Sequence, residues 1–229
     1  MGDLRGVSAV PVLSAFYFGS LAHYRLLARH PRVVVDLGEH YVRQSFHTRT
    51  RIAGPNGVQD LVVQIQRRSG EKMPMHTVGL SYAETWPQQH LHAIRTAYGQ
   101  SPWFEHFYPD IEELLLTRLQ RLADLDLATL RLGLNWLGLR TEVEVSETYV
   151  EVVSRESSVG SPDPVEIDSR PTTHDYRTAL HPKSPIPQEL QVAPYPQVFA
   201  DRHGFQPGLS VIDLVCNCGP QAIAHLLAS

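Results

Sequence analysis

The stretch GEHYVRQSFHTRTRI, residues 38–52, carries the side chains best suited to hold an anion. Alternate side chains of an extended strand share one face, and on that face this stretch would place Tyr41, Arg43, Ser45, His47, Arg49 and Arg51. A guanidinium binds phosphate or carboxylate through a planar fork, so the row predicts an anion clamp facing a crevice, with Phe46 and Ile52 on the packed side. The alternative is a solvated strand face whose charges prevent edge-to-edge pairing.

A second charged group lies in HDYRTALHPK, residues 174–183. We expect the segment from about 172 to 197 to cross the basic strand, so that Arg177 and Lys183 join Arg49 and Arg51 in one site. A long Pro-rich stretch is costly to hold in place unless packing or function fixes it, and an apolar core would reject its charges. The flat part of a ligand would then pack against Tyr176 or Tyr195.

Two other interpretations of the same segment stay open. An ordinary ion-paired loop would explain its charges without any ligand. His174, Asp175 and His181 could instead ligate a metal, but their spacing matches no metal motif, and no metal ligand is assigned.

Candidates for moving a proton are Glu39, which follows the second predicted strand, and His181. A carboxylate or imidazole at a strand end can reach a ligand in the crevice of an α/β sheet. The sequence has no G-x-S-x-G elbow, no G-x-x-x-x-G-K-[ST] phosphate loop and no G-x-G-x-x-G fingerprint. The signatures of the common hydrolase, P-loop and dinucleotide-binding classes are therefore missing, and the cofactor stays unknown.

Composition limits the partners. The formal net charge of -4 argues against a protein that coats nucleic acid, so an anionic small molecule is the favoured partner. No run approaches the roughly 18 apolar residues that span a bilayer, and the N-terminal residues lack a signal-peptide pattern. We expect a cytoplasmic location, in which Cys216 and Cys218 are buried, reduced and catalytically idle.

The elements that must position these residues follow from hydrophobic pattern and turn chemistry. Apolar runs predict strands at 9–18 and 32–42 with a helix at 21–29 between them, a β-α-β start. Pro55, Asn56 and Gly57 predict the turn of a β-hairpin. Later patterns predict helices from Thr85, Ser101, Asp110 and the cap Asp126, a strand at 142–152, and terminal helices opened by Ser210.

The predicted fold class is therefore α/β, with a mixed sheet that combines the β-α-β start with the hairpin, and packed flanking helices. Residues 154–196 hold many Pro and Ser, which sustain neither helix nor ladder, so we expect an irregular functional segment there. The length fits one domain over residues 1–229.

Several motifs occur in an order and spacing that resemble one family. They are E-x-Y-x-[KR]-Q-S at 39–45, the hairpin at 49–57, W-x-Q-x-H at 86–90, Y-x-x-S-P-x-F-E at 98–105, and F-x-x-x-L-S-x-x-D-L-x-x-N-x-G at 205–219. Together they resemble the WbqC-like family nearly from end to end. The chain departs from the usual pattern at Gly19, Arg43 and His47-Thr48, where the family commonly has Pro, Lys and an Arg-Asn pair.

The resemblance implies a role in bacterial surface polysaccharide (O-antigen) biosynthesis, where glycine transfer to amino sugars has been suggested for the family. The leading hypothesis is an aminoacyl- or glycyl-type transferase that acts on an amino sugar or nucleotide-sugar. The first alternative is a non-catalytic protein that binds an anionic ligand or aids assembly. The second is an aminoacyl-tRNA-dependent transferase, and a tRNA partner is not favoured. Donor, acceptor and oligomeric state stay open.

Overall fold

The fold alternates strands and helices along the chain. The computed structural model describes residues 10–66, 72–152 and 173–228. The strands are β1 (Val10–Leu13), β2 (Arg32–Asp36), β3 (Arg49–Gly54), β4 (Gly57–Val62), β5 (Glu142–Ser146) and β6 (Thr173–Asp175). The α-helices are α1 (Leu21–Ala28), α2 (Trp86–Tyr98), α3 (Phe104–Leu116), α4 (Leu122–Trp136), α5 (Ala200–His203), α6 (Val211–Cys218) and α7 (Ala222–Leu227).

A four-stranded parallel sheet has the order β5-β2-β1-β6. Val12 of β1 lies opposite Val34 of β2 on one side and opposite Asp175 of β6 on the other. The chain thus builds outward from β1 through β2 to β5 and then returns to the other side of β1. Such a reversal of strand order leaves a crevice at the carboxyl ends of β1 and β6, between which the order reverses, and this is the usual ligand position in open α/β sheets.

The hairpin forms a separate two-stranded antiparallel sheet of β3 and β4. The predicted turn at Pro55 and Asn56 is confirmed, and Gly57 has a φ of 108°, which glycine adopts without steric cost. The α/β class, the β-α-β start, the hairpin and the packed helices are confirmed, with parallel and antiparallel pairing divided between two sheets. One reason is that the Arg51 carbonyl of β3 accepts the Ser210 N–H just before α6. A loop therefore occupies the edge of β3 at which another strand would otherwise pair.

Some predicted element boundaries are wrong. A single helix, α3, runs through Pro109, although two helices were expected there. Pro109 has no backbone N–H, so the Glu105 carbonyl lacks its helical donor. Because Glu105 is exposed, water can satisfy that carbonyl. The next helix, α4, begins at Leu122, so Asp126 lies inside it, fully buried, instead of capping it. Strand β6 lies in the segment that was expected to be irregular.

Helix α6 lies in the core and contacts α1, α2, α3 and α4. Its predicted cap is confirmed, because the Ser210 hydroxyl accepts the Ile212 N–H at 3.2 Å. Cys216 and Cys218 are free and buried, and burial raises the pKa of both thiols, that of Cys218 to about 11. In the part of the chain that the structure describes, no helix is both long and apolar enough to cross a membrane.

Candidate functional site

The basic row is not one continuous strand. Strand β2 ends at Asp36, whose carboxylate accepts the N–H groups of Gly38 and Glu39 and closes a turn. Residues 41–48 are irregular, and Gln44 has a φ of 57°. Arg43 is therefore exposed, whereas His47 is buried among apolar rings. The prediction of a shared face from Tyr41 to Ile52 is wrong, although Phe46 and Ile52 are buried as expected.

Within β3, Arg49 and Arg51 do share a face, and both bind one carboxylate. Asp60 of β4 pairs with Arg51 in the hairpin register, and its oxygens lie 3.0 Å from Arg49 Nη1 and 3.2 Å from Arg51 Nε. Two guanidiniums thus share one carboxylate, which leaves this group with a net charge of about +1. The side chain of Arg51 is 33% exposed, so part of its donor capacity faces open space.

The segment after β6 lies across β3, as expected. Arg51 Nη2 donates to the Pro182 carbonyl at 2.7 Å, and Lys183 Nζ donates to Gln44 Oε1 at 2.7 Å. His203 Nε2 lies 2.9 Å from the Pro55 carbonyl at the hairpin turn. Residues 179–208, here named the covering segment, are thereby fixed to the hairpin at two points and to the preceding loop at Gln44.

Arg177 does not join this group, contrary to expectation. Its guanidinium bonds Asp175 at the end of β6 and Asp36 at the end of β2, and it stacks 4.4 Å above the Tyr149 ring. Hydrogen bonding to Asp175, and further pairing with Asp36, raise the pKa of Arg177 well above its ordinary value. Its side chain is only 5% exposed, so the residue ties the sheet together and has little surface for a ligand.

Glu39 forms a buried pair with His47. Glu39 Oε1 lies 3.4 Å from His47 Nε2, while Nδ1 faces the Val42 N–H at 3.4 Å. With Nδ1 facing a donor, the neutral ring carries its proton on Nε2, toward Glu39. The rings of Tyr41 and Phe16 pack about this imidazole, with centroids at 6.0 and 5.9 Å.

The two predicted ligand-stacking tyrosines lie elsewhere. Tyr195 is buried, and its hydroxyl donates to Asp213 Oδ2 at 2.5 Å; Gln197 donates to the same oxygen at 3.0 Å. Burial raises the pKa of Asp213 to about 6, although these two hydrogen bonds oppose the shift. Tyr176 is half-buried beside His30 and His174. Neither tyrosine lines the cavity described next.

A cavity of about 550 Å³ lies between the start of α1, the hairpin side and the covering segment. Its walls come from Ser20 and the first residues of α1, Leu21 and Ala22, from Phe46 and Arg51, and from selected residues of the covering segment between Ala179 and Gly208. Ser20 follows β1 and Ala179 follows β6, so the cavity lies at the carboxyl side of the strands where the sheet order reverses. Its volume and mostly apolar lining are typical of small-molecule sites.

His181 is the candidate acid or base that lines this cavity, and Glu39 does not line it. The Lys183 N–H faces His181 Nδ1 at 3.2 Å. This contact favours the tautomer whose proton is on Nε2, so the neutral ring offers a hydrogen-bond donor at Nε2. Among the predicted residues, the structure thus brings Arg51 and His181 to one cavity, with Lys183 beside them.

The sequence interpretation missed two residues of this region. Asp36 organises the carboxyl edge of the sheet, and the signal was available, since an acid directly after the buried run VVV must find a partner. Ser20, which lines the cavity, carries no such signal, because a serine before a helix ordinarily indicates a cap.

Fold and cavity define the class of this molecule: an α/β protein with a parallel sheet and a ligand-sized cavity where its strand order reverses. The model of the WbqC-like protein family matches residues 17–225, and the chain belongs to that family. The match agrees with the motifs that run through the sequence. No curated protein and no solved structure was found to match the chain.

Proposed function

We propose that this protein is a small-molecule transferase that binds an anionic, nucleotide-linked amino sugar in the cavity. The observation that carries the proposal is the cavity itself, which lies at the strand reversal and has Arg51 and His181 in its wall. Family membership supports the substrate class, because the resemblance implies surface polysaccharide (O-antigen) biosynthesis in bacteria. A cytoplasmic location belongs to the same proposal and is supported by the two free thiols.

Arg51 is the proposed anion ligand. Its Nε donates to Asp60, and one Nη2 hydrogen is donated to the Pro182 carbonyl. The remaining N–H groups can donate to a phosphate or carboxylate oxygen. The excess positive charge of the Arg49-Asp60-Arg51 group favours an anion there, and the exposed Lys183 and Arg43 add to it. In this role Arg49 holds Asp60 and Arg51 contacts the ligand.

His181 is the proposed proton donor. Its Nε2–H can donate a hydrogen bond to a developing negative charge on a leaving group. Complete proton transfer starts from the imidazolium form, and loss of the Nε2 proton then leaves a neutral ring. Glu39 is less suited to this role, because it is paired with His47 and lies outside the cavity lining.

The test is calorimetric titration with UDP-N-acetylglucosamine, UDP-glucose and bulk tRNA. A nucleotide-sugar should bind, and Arg51→Gln should weaken that binding about tenfold or more, the range for hydrogen bonds to charged groups. Arg95→Gln is the matched control, since Arg95 is exposed on α2 and does not line the cavity. Salt-sensitive tRNA binding without nucleotide-sugar binding would favour the tRNA-dependent alternative.

Catalysis is tested separately from binding. If an acyl donor transfers its acyl group to the free amine of a nucleotide-linked amino sugar, with release of the donor's leaving group, His181→Asn should lower kcat with little change in binding, because Asn preserves much of the shape but cannot transfer a proton at neutral pH. Binding without turnover against a panel of acyl donors would make the protein a ligand-binding factor and refute the transferase.

A further inference from the structure

The N-terminus of α1 has a capping residue that does not cap. Ser20 occupies the N-cap position with extended dihedral angles, φ -68° and ψ 163°, yet its side chain makes no cap hydrogen bond. Ser210 occupies the same position before α6 and behaves as expected, accepting the Ile212 N–H at 3.2 Å and donating to the Phe18 carbonyl at 3.0 Å. The two serines also face each other in a backbone bridge.

The backbone at this end of α1 is also left with a free donor. The Leu21 N–H donates to the Leu209 carbonyl, and the N–H groups of His23 and Tyr24 donate to the Ser20 carbonyl. Within residues 10–66, 72–152 and 173–228, neither the Ala22 N–H nor the Ser20 hydroxyl has a hydrogen-bond partner.

Both residues line the cavity, and Ser20 is only 5% exposed. A ligand oxygen that enters the cavity can therefore accept from donors that the protein itself leaves without a partner. A hydroxyl and an N–H at one helix N-terminus, on residues that line the same cavity, can both donate to one oxygen atom. The helix adds a partial positive charge at this end, which favours an electron-rich oxygen.

The surroundings decide between a charged and a neutral oxygen. Near Ser20 the cavity wall is formed by apolar side chains, including Leu21, Phe46 and Leu190. A full negative charge desolvated in such a place would need a cation beside it. The positively charged side chain in the lining of this cavity is Arg51, whose guanidinium donates to Asp60 and Pro182. An anion is therefore expected at Arg51, and a neutral oxygen at Ser20.

We propose that the Ser20 hydroxyl and the Ala22 N–H form a subsite for a neutral carbonyl oxygen of the ligand, such as that of an acyl or acetamido group. The ligand's anionic group lies at Arg51, and an apolar or neutral connection between the two fills the cavity. This inference rests on the proposed function for the position of the anion and adds the substrate class, an acylated anion.

The test uses pairs of anions that differ only by one carbonyl group. 4-Oxopentanoate, 6-oxoheptanoate and 8-oxononanoate are titrated beside pentanoate, heptanoate and nonanoate, so that three lengths sample the span from Arg51 to Ser20. Without donors, the more strongly hydrated ketone binds more weakly than the matching alkanoate. With the subsite, the oxo acid of the fitting length binds about tenfold more tightly.

Variants identify the source of the preference. Ser20→Ala should remove most of the preference while leaving the melting temperature nearly unchanged, because no cap hydrogen bond is lost. Ser210→Ala is the matched control, which should lower the melting temperature and keep the preference. The subsite is refuted if no oxo acid binds better than its alkanoate, or if the preference survives in Ser20→Ala.

The same titrations distinguish the two proposals. If Arg51→Gln leaves all affinities unchanged while the carbonyl preference persists and depends on Ser20, the anion site at Arg51 is wrong and the carbonyl subsite stands. If Arg51→Gln weakens every acid equally and no carbonyl preference exists at any length, the anion site stands and the subsite is wrong.

Discussion

Several ionisable side chains of this protein are buried away from the cavity, and they make its stability depend on pH. Asp126 is the clearest case, since it is fully buried in α4 and neither of its oxygens has a hydrogen-bond donor among the described residues. Burial raises the pKa of Asp126 well above its ordinary value, so the folded state binds a proton that the unfolded chain releases above a pKa of about 3.9. Folding stability must therefore fall as pH rises above that value.

Replacing Asp126 by Asn should remove this part of the pH dependence. Each pH unit between the unfolded and folded pKa costs the wild type about 1.4 kcal/mol of unfolding free energy, a loss that Asn does not suffer. The unfolding free energy is measured by urea denaturation at pH 4.5 and pH 8, followed by tryptophan fluorescence. From pH 4.5 to pH 8, the stability of Asp126→Asn relative to the wild type should rise by about 1 kcal/mol or more. Equal differences at both pH values would show that the carboxyl is not held protonated.

At the scale of elements, the carboxyl edge of the parallel sheet is held by charge. Asp36 accepts from Gly38, Glu39, Val150 and Arg177, and so links β2 with the chain that follows β5 and β6. Because β6 is short and pairs only with β1, these side-chain bonds supplement a ladder of limited length. The Asp36–Arg177 pair thereby also fixes the position of Arg177, just before the segment that forms the cavity wall begins.

Two ion pairs on β2 allow a matched comparison. Arg177→Met leaves Asp36 buried without its charged partner and should cost about 3 to 5 kcal/mol of unfolding free energy. Arg32→Met breaks the pair with Glu144, whose side chains are 51% and 52% exposed, and should cost less than about 1 kcal/mol. Chemical denaturation of both variants measures the difference. Similar small losses in the two variants would mean that the buried cluster does not hold the sheet edge.

For the whole molecule, one domain over residues 1–229 remains our prediction, and the position of α6 makes it testable. This helix packs against α1 to α4 and carries both buried thiols. In a single cooperative unit the thiols become reactive only when the whole structure opens. Thiol labelling and far-UV circular dichroism should therefore give one urea midpoint. Labelling that precedes the loss of dichroism would show that α6 opens as part of a separate unit.

Features that depend on residues close together in the chain could be predicted from local patterns. The apolar runs of β1 and β2, the helical pattern of α1, the Pro55 to Gly57 turn and the Ser210 cap each involve residues within a few positions, where propensity and hydrogen-bonding chemistry act directly. The order of motifs likewise identified the family. Boundaries failed where a tertiary contact overrode the local pattern, as at Asp36, which ends β2, and at buried Asp126.

Which of the charged residues meet depends on contacts between distant parts of the chain. In the sequence, Arg177 and Arg51 are equivalent basic residues. In the structure, Arg177 is bound by two aspartates, whereas Arg51 keeps free N–H donors at a cavity. Ser20 and Ser210 have the same local role before a helix, and only the packing of distant segments leaves the first uncapped beside that cavity. The physical reason is that a cavity at a strand reversal depends on the return of β6 to β1, a contact between segments more than 150 residues apart, and no local pattern encodes such a contact.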